Sequence, residues 1–207
     1  MSTGVSAFDL NQPDLSHLLA RVEAGAIQLP DFQRGWVWRE EGIRSLLASI
    51  TLSYPIGALL MLKTGGSPAF FPRAIEGAPD TRAVPELLLL DGQQRITSLY
   101  QSLRMGRPVR TTDEKGKDIE RWFYLDIGKC MDPDIDRAEA VLTTPADRVF
   151  RRDFNRVVVL DLSSTENQYK EWAIPLEEPA RFWKPERPSC WRSVPMRDRR
   201  PVRILCG

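Results

Sequence analysis

Five consecutive residues, Asp91-Gly92-Gln93-Gln94-Arg95, follow a run of four leucines, Leu87 to Leu90. Asp91 offers a carboxylate that can hold a magnesium ion, take a proton or cap a helix. Gly92 lacks a Cβ, so the chain can turn sharply there or approach a ligand closely. Gln93 and Gln94 each bring a donor and an acceptor, suited to orienting a water or reading a polar edge. Arg95 carries a planar, permanently charged fork matched to phosphate or carboxylate. A buried strand that breaks at Asp-Gly and passes directly into a helix aims unsatisfied backbone N–H groups and a positive dipole end at one point, which is the chemistry of an anion site. Plainer readings stand beside this one: Asp91 as a simple cap and Arg95 as a surface ion-pair partner.

A second group lies in "LPDFQRGWVW", Leu29 to Trp38, where Asp31, Gln33 and Arg34 are set among Phe32, Trp36 and Trp38. Aromatics mixed with polar residues line pockets; these rings could stack on a base and Arg34 could complement a phosphate. The alternative is that the rings are core and the polar residues face outward.

The elements that must position these groups follow from periodicity. Leu15, Leu18, Leu19 and Val22 predict a short helix with Asp14 or Ser16 as N-cap and Gly25 as its stop. Ile43, Leu46, Leu47 and Ile50 predict a second helix, ended by Pro55. "IGALLMLK" and "PELLLLDG" read as strands, the latter apolar on consecutive positions and so covered on both faces. Residues 64 to 85 read as an irregular connection. "ITSLYQSL" predicts a third helix with Ile96, Leu99, Tyr100 and Leu103 on one side. "RWFYLDIG" and "RVVVLDLS" are further strands, with a short helix expected between Ala138 and Asp153. From about Trp172 onward, prolines at 175, 179, 185, 188, 195 and 201 exclude a long helix or a central strand.

Composition bounds the partners. A hydrophobic fraction of 42% and a charged fraction of 28% describe an ordinary globular chain, and a net charge of +1 gives no bulk field toward nucleic acid or anionic membrane. The charge is uneven. Arg181 to Gly207 holds eight Lys/Arg against two acids, a local +6, which leaves the preceding body about −5. Cys130, Cys190 and Cys206 are odd in number and far apart, which argues against a disulfide framework or a paired-cysteine metal site and fits a reducing cytoplasm. No apolar run reaches a membrane span and the N-terminus has no signal-peptide pattern. The reading is a cytoplasmic α+β protein: a domain over residues 10–170 and a Pro/Arg-rich tail over 171–207, the latter a linker, a DNA-touching arm or a truncated end.

"LPDFQRGWVW", "SYPIGALL" and "LLLLDGQQRITSLY", in this order, closely resemble the N-terminal domain of GmrSD-type restriction proteins, over Leu15 to Gly106 most clearly and more weakly to Ser163. The resemblance implies a ParB/sulfiredoxin-like fold, a mixed sheet with packed helices. It also implies nucleotide binding and hydrolysis that regulate DNA cleavage in defence against phage with modified DNA. Carried onto this chain, the motif residues are Asp91, Gly92, Gln93, Gln94 and Arg95, with Asp31, Gln33 and Arg34 as upstream partners. On this reading an NTPase holds phosphates on Arg95 and the backbone after Asp91. Asp91 or Asp31 places Mg2+ or water, and Gln94 orients the nucleophile. Relatives of this kind continue into a His-Asn-His nuclease, which needs histidine. The single histidine here is His17, in the first predicted helix, so the nuclease is expected in another domain or subunit and none from this chain alone. A missing neighbour would leave apolar surface and favour oligomers. The competing reading is a non-catalytic module that binds DNA or a modified base, or an inactive fragment of a larger protein. A sulfiredoxin-like redox enzyme fails on residues, since no cysteine precedes Cys130.

Overall fold

The structure, a computed structural model, describes residues 14–65 and 70–177. The basic tail from residue 178 onward, with Cys190 and Cys206, lies outside the described residues. In chain order the elements are α1 (Leu15–Glu23), β1 (Ile27–Pro30), α2 (Glu40–Thr51), β2 (Leu60–Lys63), β3 (Pro72–Arg73), β4 (Leu87–Asp91), α3 (Gln93–Leu103), β5 (Val109–Thr112), β6 (Asp118–Asp126), α4 (Ile127–Met131), α5 (Arg137–Ala140), β7 (Val141–Thr144), β8 (Val149–Arg152), β9 (Val157–Asp161), α6 (Thr165–Lys170) and β10 (Ala173–Pro175). The α+β class read from the sequence is the one observed.

The first sheet has the order β2-β4-β1-β3, with β4 parallel to β1 and antiparallel to β2, and β3 antiparallel to β1. Leu88 and Leu89 point to opposite faces of β4 and both are fully buried, so the leucine run is covered on both sides at its centre. The apolar stripes of α1 (Leu18, Leu19, Val22), α2 (Ile43, Leu46, Leu47) and α3 (Ile96, Leu99, Tyr100) meet β1 and β4 in one core. Asp14 caps α1 by accepting from Ser16 N at 3.4 Å, and Gly25 at φ +74 ends that stretch with its N–H on Val22 O at 3.0 Å.

The second sheet is antiparallel: β6 pairs with β5 at its start and with β7 and β10 further along. Phe123 on β6 joins the main core, whereas its neighbours Trp122 and Tyr124 face the other way and pack with Leu162 and Ala173. Pro175 is accommodated because β10 lies at the sheet edge, where a missing N–H costs no ladder bond. The sheet thus extends past residue 170. The helix expected between Ala138 and Asp153 is one turn, α5; the rest of that stretch forms β7 and β8. The connection over 64–85 contains the two-residue β3.

β8 and β9 form a separate two-stranded ribbon. Val157, Val158 and Val159 are exposed along it, and Phe154 at its tip is 100% exposed. At the ribbon's base Arg148 stacks over Trp122, 3.8 Å from the ring centre, donates to the Tyr124 hydroxyl at 2.9 Å and pairs with Glu177 at 3.0 Å. Burial pushes the Tyr124 phenol up to about 12, with the Arg148 cation opposing that shift. The folded state therefore holds this proton more tightly than the unfolded chain, whose ordinary value is 10.0, so its contribution is complete below pH 10 and lost as pH rises toward 12. Stability is expected to fall in that window, and Tyr124→Phe should flatten a stability titration followed by Trp fluorescence.

Candidate phosphate site

β4 ends at Asp91, Gly92 takes φ +92 and ψ 10, and α3 begins at Gln93. Only glycine adopts this left-handed turn cheaply, and it lets the strand swing into the helix within one residue. Asp91 is not the cap; the N-cap position belongs to Gly92 and carries no side-chain hydrogen bond. The Asp91 side chain is 74% exposed, and its polar contact is Arg95 Nη2 at 3.4 Å. The N–H groups of Gln93, Gln94 and Arg95 have no acceptor among the described residues, since the first closure of the helix is Ile96 N to Gly92 O at 3.0 Å. They open on a cavity of about 300 Å³ lined by Phe32, Gln33, Arg34 and residues 90 to 95.

The opposite wall, residues 31 to 38, has no regular secondary structure, so its peptide groups need partners from elsewhere. Side chains supply them. Gln93 Nε2 donates to Arg34 O at 2.8 Å. Gln94 brackets a peptide segment: Oε1 accepts from Val37 N at 3.1 Å and Nε2 donates to Gly35 O at 3.5 Å. Gln33 Nε2 reaches back to Leu89 O and Leu90 O at 2.7 and 2.8 Å. Arg73 Nη2 donates to Gln33 O and Arg34 O at 3.1 and 3.2 Å, and is itself held by Glu76 at 2.9 Å. Glu76 also accepts from Trp36 N at 3.2 Å, Trp36 Nε1 donates to Ser98 Oγ at 3.0 Å, and Thr111 Oγ1 donates to Trp38 O. Arg73 and Glu76 escaped sequence reasoning because they fall in the aperiodic 64–85 connection.

Arg95 is engaged as well. Nη1 donates to Ile56 O at 2.6 Å and Nη2 to Ala58 O at 2.8 Å, fastening the Ser53–Gly57 turn to the start of α3. Gly57 is needed there: a Cβ at φ +92 would stand 2.1 Å from Arg95 Nη1. Arg34, by contrast, is exposed and has no ion-pair or hydrogen-bond partner for its guanidinium among the described residues. The structure thus brings Gln33, Arg34 and the five motif residues together. Asp31 is exposed at the turn leading in, its N–H bonded to Phe71 O at 2.9 Å, and does not line the cavity. Cys130 lies in α4, half-buried with its thiol pushed up by burial, and also does not line the cavity.

Asp91 is the acid available for a cation. No three His, Cys, Asp or Glu side chains converge on a metal position among the described residues. That donor set fits Mg2+ held by one carboxylate and completed by phosphate oxygens and water, not a cage built wholly from protein.

A mixed sheet ending in an uncapped helix start, faced by a loop pinned through side chains, defines an α+β domain with a preformed cavity at its strand-to-helix turn. The family follows from comparison: residues 15–181 match the GmrSD restriction endonuclease N-terminal domain, and the chain belongs to that family. It is also 32% identical over 132 residues to an uncharacterised protein of Methanocaldococcus jannaschii, an alignment covering 60% of this chain and 22% of that protein. The chain thus spans less than a quarter of that relative's length. Membership identifies the chain with the N-terminal domain of a restriction endonuclease family. No helix among the described residues is long and apolar enough to cross a membrane.

Proposed function

We infer that this domain binds and hydrolyses a nucleoside triphosphate at the start of α3, as a regulatory part of a restriction system whose nuclease resides in another domain or subunit. The observation that carries the reading is the uncapped first turn of α3 opening on the same cavity as the unpaired Arg34 guanidinium. The free N–H groups of residues 93–95 and the helix dipole take the phosphate oxygens, and Arg34 supplies the formal charge from across the cavity. Asp91 would hold Mg2+, which supplies charge neutralisation between phosphates when bound. Gln93 and Gln94 tie the start of α3 to the 31–38 wall and Arg95 ties it to the Ser53–Gly57 turn, and phosphoryl transfer depends mainly on such positioning. Gln94 in this arrangement orients the Gly35–Val37 wall, and through it any water bound there.

The test is phosphate release from GTP and ATP with magnesium by the purified chain and by Arg34→Ala. Because Arg34 is exposed and unpaired, the variant should keep the wild-type denaturation midpoint while losing about ten-fold or more in turnover. Unchanged turnover would remove Arg34 from the site. A folded wild type without turnover that still binds DNA with steep salt dependence would favour the non-catalytic DNA module.

A further inference from the structure

Most of the residues lining the cavity are polar, and Phe32 and Leu90 are its apolar side chains. Phe32 lines it and is 62% exposed, although phenylalanine is ordinarily buried. It packs edge-on against Phe70, with ring centroids 5.1 Å apart at 75°. The pairing of Leu29 with Arg73 and of Pro30 with Pro72 continues through the Asp31 N to Phe71 O bond at 2.9 Å, and extending that register sets Phe32 opposite Phe70. The two rings thus face each other just past the paired ends of β1 and β3, and Phe70 also remains 40% exposed. Two paired rings left exposed, one of them lining the cavity, are unexplained by packing.

We propose that the Phe32–Phe70 pair is a stacking platform for the nucleobase of the bound nucleotide. This rests on the phosphate reading of the cavity and adds where the rest of the ligand goes. At about 300 Å³ the cavity is at the small end for a whole ligand, so a triphosphate seated there leaves its nucleoside outside, against the rim. Phe32 is the aromatic residue at that rim. A phenyl face offers stacking but no donor or acceptor, so the platform recognises that a base is present without reading which one.

The experiment is equilibrium binding to the full chain of GTP, UTP and inorganic tripolyphosphate, with magnesium, by calorimetry. Wild type is expected to bind both nucleotides about ten-fold or more tightly than tripolyphosphate, and within a few-fold of each other. Phe32→Ala and, independently, Phe70→Ala should remove that preference while leaving tripolyphosphate affinity as it was, and Phe32→Trp should restore it. Equal loss for nucleotide and tripolyphosphate in both alanine variants would make the pair a support of the loop and overturn the platform. Tripolyphosphate binding with no gain from a nucleoside overturns the platform alone. Failure of all three ligands to bind a folded wild type overturns the phosphate reading, and the platform with it.

Discussion

Arg95→Ala should destabilise the fold by about 3 kcal/mol and abolish nucleotide turnover, a double loss that separates it from Arg34→Ala. The guanidinium is only 23% exposed and bridges two main-chain carbonyls, Ile56 O and Ala58 O, besides touching Asp91. Its removal leaves both oxygens without their charged donor and frees the Ser53–Gly57 turn from α3. Lysine is a poor substitute, because a single ammonium on a flexible stem cannot reproduce the planar fork that spans both carbonyls. Urea denaturation of Arg95→Ala and Arg95→Lys against wild type checks this. A variant with unaltered stability and no turnover would reassign Arg95 from holding the Ser53–Gly57 turn to contacting the ligand.

Gly92→Ala is expected to cost about 3 kcal/mol as well, by a different route. At φ +92 an L-residue is strained before any contact is considered. The added Cβ would stand 2.4 Å from Leu59 Cδ2 and 3.2 Å from Arg95 Nη2, so relief of the clash moves either the β2 side of the sheet or the Arg95 bridge. The first N–H groups of α3 are then re-aimed, and turnover should fall about ten-fold or more, since sub-ångström placement governs such sites. Gly35→Ala supplies the control, because a Cβ there meets nothing within 4 Å. Thermal melts and phosphate release for the two alanine variants should diverge sharply. Equal behaviour would show that the turn at residue 92 tolerates a side chain.

The first three helices and the leucine strand were legible in the sequence because their signals are local. Asp14 and Gly25 mark the ends of α1, α2 stops at Thr51, ahead of Pro55, where Ser53 takes φ +57, and the stripes at Ile43, Leu46 and Leu47 and at Ile96, Leu99 and Tyr100 name the core faces that are observed buried. The short strands were not. β5, β7 and β8 have four residues each, and what makes them strands is a partner elsewhere in the chain, β6 for the first two and β9 for the third. The candidate site divides in the same way. Gly92 and the strand-to-helix turn could be read from residue type and order. That Gln94 grips residues 35 and 37, and that Arg73 holds the carbonyls of 33 and 34, depends on contacts 39 to 59 residues apart in sequence. An amide side chain looks the same on paper whether it orients a water or replaces a missing ladder bond.

The β8–β9 ribbon bears on how this chain behaves in a crowded solution. A two-stranded ribbon leaves the outer edge of β9 without a strand partner among the described residues, and that edge runs beside three consecutive valines. Such a segment is a template for intermolecular cross-β growth, and the charges beside it, Arg152, Asp153 and Arg156 with Arg151 paired to Asp147, are what hinder it. Colloidal lifetime would then be set by ionic strength: salt that screens those arginines removes the gatekeepers while leaving the valines as adhesive as before.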